Sequence, residues 1–179
     1  MKVLIHSCCA PCLTYPRETL EGEDHDVSAL WYNPNIHPYR EYQKRMHEVQ
    51  RYSALRPMDV HYIDDYPLAE WLEDIQSSVA GGKERCVRCY ELRLGRAAAF
   101  AEANGFDAFT STLLVSKHQD HEAVRRAGEE AGERHGVEFL YRDFRDGWKR
   151  SIEISKELQL YRQPYCGCVF SEHERYTEQ

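Results

Sequence analysis

The chain has 179 residues, seven of them cysteine, and a formal net charge of −7. That length suits one domain with a core of its own, and the acidic balance excludes a generic nucleic-acid coat protein, which would be basic. No apolar run approaches a transmembrane helix and no basic-plus-apolar leader opens the chain, so the expectation is a soluble, cytoplasmic protein with no membrane partner. Thiols stay reduced in that compartment, and clustered cysteines there point to metal or redox chemistry rather than to structural disulfides.

Val3-Leu4-Ile5-His6-Ser7 is a short β-branched apolar run that predicts a buried strand, and it stops in Cys8-Cys9-Ala10-Pro11-Cys12. Pro11 marks the first turn of a helix that reaches Glu21 and is closed by Gly22. A second strand over 27–32 ends in the turn signal Asn33-Pro34-Asn35. His37-Pro38-Tyr39 opens a long polar helix to about Ser53, and 58–63 is a third strand. Pro67 begins a helix with Leu68, Trp71, Leu72 and Ile75 at helical spacing, ended by Gly81-Gly82.

Residues 84–103 form the strongest helical pattern, with an apolar stripe from Leu92 to Ala101, a stop at Asn104-Gly105, and Cys86 and Cys89 on the first turn. A fourth strand over 106–114 precedes a charged helix that starts at Ser116 or Lys117 and ends near Gly136. A fifth strand covers 137–141, a last long helix 148–160, and a short tail over 165–174 carries Cys166-Gly167-Cys168.

Strands alternating with helices predict an α/β fold, one three-layer domain over residues 1–179 with a mainly parallel five-stranded sheet. Such sheets gather their chemistry at the carboxyl ends of the strands, and helix amino termini there favour thiolates. The three cysteine groups meet only if the fold brings the end of the first strand, the start of the fourth helix and the tail to one rim.

Four thiolates complete either a tetrahedral zinc site or a [4Fe-4S] cluster, and Cys86-x-x-Cys89 is half of either. Cys8-Cys9-x-x-Cys12 strengthens both readings. One reading is a zinc-stapled RNA-binding module without catalysis. Another is a thioredoxin-like thiol-disulfide oxidoreductase using Cys9-Ala-Pro-Cys12, which leaves Cys8, Cys86 and Cys89 unexplained. An ATP-pyrophosphatase-like enzyme suits the α/β outline, but no Gly-rich phosphate loop follows the first strand. In Cys166-Gly-Cys168 a single intervening residue would give a strained, easily reduced ring, so the pair reads as an electron relay or as two further metal ligands.

Two segments are locally basic: Arg40, Lys44, Arg45 and Arg51, and Lys83, Arg85, Arg88, Arg93 and Arg96. With Glu41, Glu48 and Glu91 interleaved they read as solvated helix faces or as phosphate contacts.

Five motifs carry a family resemblance. They are His6-Ser-Cys-Cys-Ala-Pro-Cys12, Tyr32-Asn-Pro-Asn-Ile-His-Pro38, Arg85-Cys-Val-Arg-Cys-Tyr-Glu-Leu-Arg-Leu94, Phe109-Thr-Ser-Thr-Leu-Leu114 and the segment from Ser155 to Cys168 that ends in Arg162-Gln-Pro-Tyr-Cys-Gly-Cys168. They resemble the cobalamin-independent epoxyqueuosine reductases, the QueH family, over nearly the whole chain. The resemblance implies an iron-sulfur enzyme that removes the epoxide oxygen of epoxyqueuosine at the tRNA wobble position. It also implies a fold similar to the α-hydrolase-like (HUP) nucleotide-binding group.

By motif match Cys8, Cys9, Cys86 and Cys89 look like ligands of a [4Fe-4S] cluster, and Cys166 with Cys168 looks like a redox-active pair. Cys12, one turn beyond, is a candidate ligand for an additional iron ion or a proton donor, or else a small buried side chain. Candidate proton donors near strand ends are His6, His37, Tyr32 and Asp64, each equally at home as a satisfied hydrogen bonder or a cap. Candidate tRNA contacts are Arg40, Arg45, Arg85, Arg88, Lys149 and Arg162, with Tyr39, Tyr90 or Tyr161 for stacking. The partners implied are a tRNA with a queuosine-type wobble base and an electron donor that no motif identifies.

Overall fold

Lys2–Ser7 (β1) is the central strand of the sheet, and its Val3, Leu4 and Ile5 are wholly buried. A computed structural model describes residues 1–76 and 83–177. On one side of β1 lie Asp26–Trp31 (β2) and Val60–Tyr62 (β3); on the other lie Ala108–Ser111 (β4) and Glu138–Phe139 (β5). The order β3-β2-β1-β4-β5 is parallel throughout, with His6 level with Leu30 on one neighbour and Ser111 on the other.

Helices connect the strands. Ala10–Glu21 (α1) packs on β1 and β2, against Tyr39–Leu55 (α2) and Trp148–Glu157 (α6). Lys83–Ala103 (α4) packs on β1 and β4 and against His121–His135 (α5), giving the third layer. Leu68–Gln76 (α3) contributes Trp71 and Ile75 to a small satellite core that also holds Cys168. The tail, for which the sequence suggested no element, forms the helix Val169–Thr177 (α7). No helix among the described residues is long and apolar enough to cross a membrane.

The strand order reverses at β1, whose neighbours β2 and β4 continue in opposite directions, and such a switch point opens a crevice at the carboxyl edge. Cys8 is the first residue past that edge.

Several boundaries differ from the expected ones for local reasons. The fourth strand stops at Ser111, because its side chain accepts from Leu113 N–H and caps a 3-10 turn over Thr112–Val115. The charged helix starts at His121 rather than at Ser116 or Lys117, since Asp120 accepts from Ala123 N–H as its N-cap. The fifth strand shrinks to two residues, and the last long helix ends at Glu157. Gly81-Gly82, expected to stop α3, lies outside the described residues.

Candidate active site

Cys9 is the N-cap of α1 and Cys12 sits three residues on, so the turn of the helix stacks their side chains beside Cys8. The sulfurs of Cys8, Cys9 and Cys12 all lie within 4.8 Å of one another. Thr112, in the turn after β4, closes on them: it accepts from Cys8 N–H at 3.0 Å and its hydroxyl donates to Cys8 Sγ at 3.2 Å. Gln163 Nε2 donates to Cys9 Sγ at 2.8 Å.

These contacts make the three thiols unequal. Donation from the thiols of Cys12 and Cys9 holds Cys8 well below the usual thiol range, and Arg93 and Thr112 reinforce this against the effect of burial. Burial pushes Cys9 up, and Cys12 rises chiefly because it gives its hydrogen bond to Cys8.

A cavity of about 570 Å³ opens over this triad. Cys8 and Cys12 line it from the α1 side, Cys86 from α4, and Cys166 and Cys168 from the tail. Cys86 and Cys89 are three residues apart on one face of α4, the latter on its second turn rather than the first. Burial raises both thiols, Cys89 to about 11.

Between the groups lies Arg93, 1% exposed. Its Nη2 donates to Asn33 Oδ1 at 3.0 Å, and its Nη1 lies 4.0 Å from Cys89 Sγ. Among the described residues no carboxylate comes within ion-pair distance of it. Its charge instead draws down the thiols of both Cys89 and Cys8.

The tail is moored over the cavity by backbone contacts. Arg45, also 1% exposed, donates from Nη1 to Cys166 O at 2.8 Å and from Nη2 to Tyr165 O at 3.2 Å. His37 N–H donates to Gly167 O at 2.8 Å, and Tyr165 O–H to His37 O at 2.6 Å. Gly167 has φ +140°, and a Cβ there would come within 3.1 Å of Arg45 Nη1 and Ile36 Cγ1. Tyr90 O–H donates to Gln119 Oε1 at 2.8 Å, and Gln119 Nε2 reaches Cys166 Sγ at 3.6 Å. Ser171 N–H donates to Cys168 Sγ at 3.3 Å in the manner of an N-cap for α7. All seven cysteines are free thiols.

A family model described as "Epoxyqueuosine reductase QueH" matches residues 3–174. The chain belongs to the QueH family. It is 39% identical over 175 residues to the epoxyqueuosine reductase QueH of Dehalococcoides mccartyi, covering 98% of this chain and 94% of that one. Similar proteins of the same name come from Acinetobacter baylyi, 38% identical with 95% and 80% covered, and Thermotoga maritima, 37% identical with 97% and 91% covered.

Within this QueH chain the expected proton donors fall away from the cavity. His6 is fully buried beneath it: Nε2 donates to Tyr32 O and Nδ1 accepts from Ser111 O–H, both at 3.0 Å. Desolvation lowers its pKa to about 3, and the ring ties β1 to the loop after β2 and to β4. His37 packs against Trp71 and Tyr66 with its pKa lowered by burial to about 4. Asp64 accepts from Tyr42 O–H, and Tyr32 lies against Arg96; neither lines the cavity.

The arginines divide as well. Arg45, expected among the tRNA contacts, is enclosed by the tail, its guanidinium donating to Cys166 O and Tyr165 O. Arg85 is buried against Glu174 and Phe170 but does line the cavity. Arg40, Arg88, Lys149 and Arg162 are exposed, Arg88 being paired with Asp74 and Glu91. Tyr90 lines the cavity, Tyr161 bonds Glu41, and Tyr39 stacks on Tyr42. Sequence reasoning missed Thr112, His118, Gln119, Trp148 and Gln163. Thr112 and Gln163 stood inside the quoted motifs, but nothing in their spacing distinguished them from neighbours.

Proposed function

We propose that this chain reduces epoxyqueuosine to queuosine at the wobble position of tRNA, the last step of queuosine synthesis. Its QueH membership supplies the reaction class. The observation that carries the reading is the convergence of thiols from a strand end, α4 and the tail on one cavity around a buried guanidinium. We take residues 1–179 as a single α/β reductase unit with its tail. Free thiols throughout suit a cytoplasmic site of action.

The residues fit an iron-sulfur cluster. A buried guanidinium without a counter-ion is costly, and the groups facing Arg93 are thiols, so an anionic thiolate-ligated metal group balances it. Cys8, Cys9, Cys86 and Cys89 are the assigned [4Fe-4S] ligands, and Cys12, grouped with Cys8 and Cys9 and open to the cavity, is the candidate ligand of an additional iron ion. When bound, the cluster supplies single electrons and Lewis acidity.

The chain's own residues do the rest. Thr112 and Gln163 hold Cys8 and Cys9 in place, and the Tyr90–Gln119 pair orients Cys166 towards the cavity. Opening the epoxide to an alkene releases its oxygen as water and consumes two electrons and two protons. Cys166 and Cys168 together yield two electrons and two protons on forming one disulfide, which an external electron donor then reduces. The tRNA enters with its anticodon bases already unpaired, so the target base needs little unstacking.

The test is anaerobic purification followed by incubation with epoxyqueuosine-containing tRNA and a chemical reductant. Brown, iron- and sulfide-bearing protein that converts the nucleoside to queuosine is expected. Colourless protein with one zinc, or iron-loaded protein that leaves epoxyqueuosine unchanged, overturns the reading.

A further inference from the structure

A second cavity, of about 280 Å³, lies beside the first and shares Cys12, Trp148 and Gln163 with it as a common wall. Its size is near the lower limit of ligand pockets, about 300 Å³, which suits one ring system. Pro11, Val115 and Ile152 give it apolar walls. Ser151 lines it too, and that buried side chain, in a residue only 4% exposed, has an Oγ with no hydrogen-bond partner. An unpartnered buried hydroxyl is costly and can either donate to or accept from a ligand's polar edge.

Exposed cations stand near Trp148 and at the lip of this cavity. Lys117 Nζ stands 5.7 Å from the Trp148 ring centre, its one contact among the described residues, and His118 meets the same ring edge-on at 6.4 Å. Arg162 at the lip and Lys149 beside Trp148 are exposed and, among the described residues, carry no ion pair or hydrogen bond. Three unpaired cations around one half-buried indole, in a chain of net charge −7, form a local anion-attracting rim.

An aromatic face, a polar handle and free cations are what a nucleobase with its flanking phosphates requires. We infer that the second cavity is the subsite for the base adjacent to the wobble nucleotide, stacked on Trp148, with its edge at Ser151 and its phosphates at Arg162, Lys149 and Lys117. The inference rests on the assignment of the first cavity to the wobble base. Two unpaired neighbouring bases would then occupy two cavities that share a wall.

The experiment uses a synthetic anticodon stem-loop with 2-aminopurine placed in turn at each position flanking the wobble nucleotide, bound to anaerobically purified protein. Stacking quenches 2-aminopurine, so quenching is expected at one flanking position and should vanish in Trp148→Ile, with affinity weakened about fivefold or more, the lower end of the value of one base stack. Arg162→Gln, at an exposed site where folding is unaffected, should weaken binding and reduce the salt slope by about one. Absence of quenching at both positions, or unchanged affinity in both variants, overturns the inference. Turnover of epoxyqueuosine without quenching leaves the reductase reading standing while removing the subsite; quenching without turnover does the reverse.

Discussion

Arg93 donates to Asn33 Oδ1 at 3.0 Å from the same guanidinium that faces Cys89 Sγ, so one buried cation ties the loop after β2 to the cysteines of α4. Asn33 in turn donates from Nδ2 to Ser7 O at 2.8 Å, at the end of β1. The charge therefore sits where three chain segments meet, and it faces sulfur. Replacing it with an apolar side chain of similar length, Arg93→Met, removes the donor from Asn33 and the cation from the thiols. The expected loss is about 1–3 kcal/mol of stability from the unsatisfied amide, with markedly less iron per chain. Urea unfolding and iron analysis measure the two effects, and a variant with full iron would show that the cation is not needed to hold the anionic group.

The assigned ligands separate from the tail pair by iron content. Serine at Cys8, Cys9, Cys86 or Cys89 should each lower cluster iron, because it removes a thiolate. Cys166→Ser should keep its iron and visible absorbance while losing multiple turnover, and the wild type should lose two titratable thiols per product in a single turnover. Full iron in Cys89→Ser would remove α4 from the ligand set, and normal turnover in Cys166→Ser would remove the relay.

The tail's position depends on one backbone angle. Gly167 at φ +140° lies where side chains are strained, and any Cβ also presses on Arg45 and Ile36. Gly167→Ala should cost about 1–3 kcal/mol locally, unseating Tyr165–Cys168 from Arg45 and His37. Faster limited proteolysis in the tail and reduced turnover with unchanged iron are expected. Arg45→Gln, which withdraws donors from Cys166 O and Tyr165 O, should behave alike. Intact protease resistance in both would mean that α7 is held by Arg85 and Glu174 instead.

His37 sets a pH dependence whose sign follows from its burial. Its native pKa is lowered from 6.5 to about 4, so the folded ring stays neutral while the unfolded ring takes a proton below 6.5. Stability is then fully present above 6.5 and falls as pH drops towards 4, by up to about 1.4 kcal/mol per pH unit. Neither ring nitrogen makes a hydrogen bond within normal geometry, and the ring packs on Trp71 and Tyr66. His37→Phe should therefore fold well at pH 7 and lose less stability than the wild type between pH 7 and pH 5. Parallel curves for the two proteins in denaturant titrations would assign the pH dependence to other groups.

The central strand, the helix of residues 83–103 and the strand-helix alternation were legible in the sequence because each depends on a contiguous pattern: a β-branched run, an apolar stripe, a Gly stop. The parallel α/β class and the gathering of thiols at a strand end follow from those patterns alone. Boundaries set by single side chains were not legible. Ser111 and Asp120 moved the end of β4 and the start of α5 because a cap's worth depends on where its hydroxyl or carboxylate points. Charge misled for a related reason. Arg45 and Arg93 read as surface residues, yet distant carbonyls, an asparagine and thiols make burial of a guanidinium tolerable, and those partners come from segments far apart in the chain. The expected acids were chosen by nearness to strand ends, whereas His6 and Asp64 already have hydrogen-bond partners and do not line the cavity. Motif and period determined which residues the site draws on; only the three-dimensional meeting of β1, α4 and the tail decided which of them face one another, because hydrogen bonds and charges act through distance in space and not along the chain.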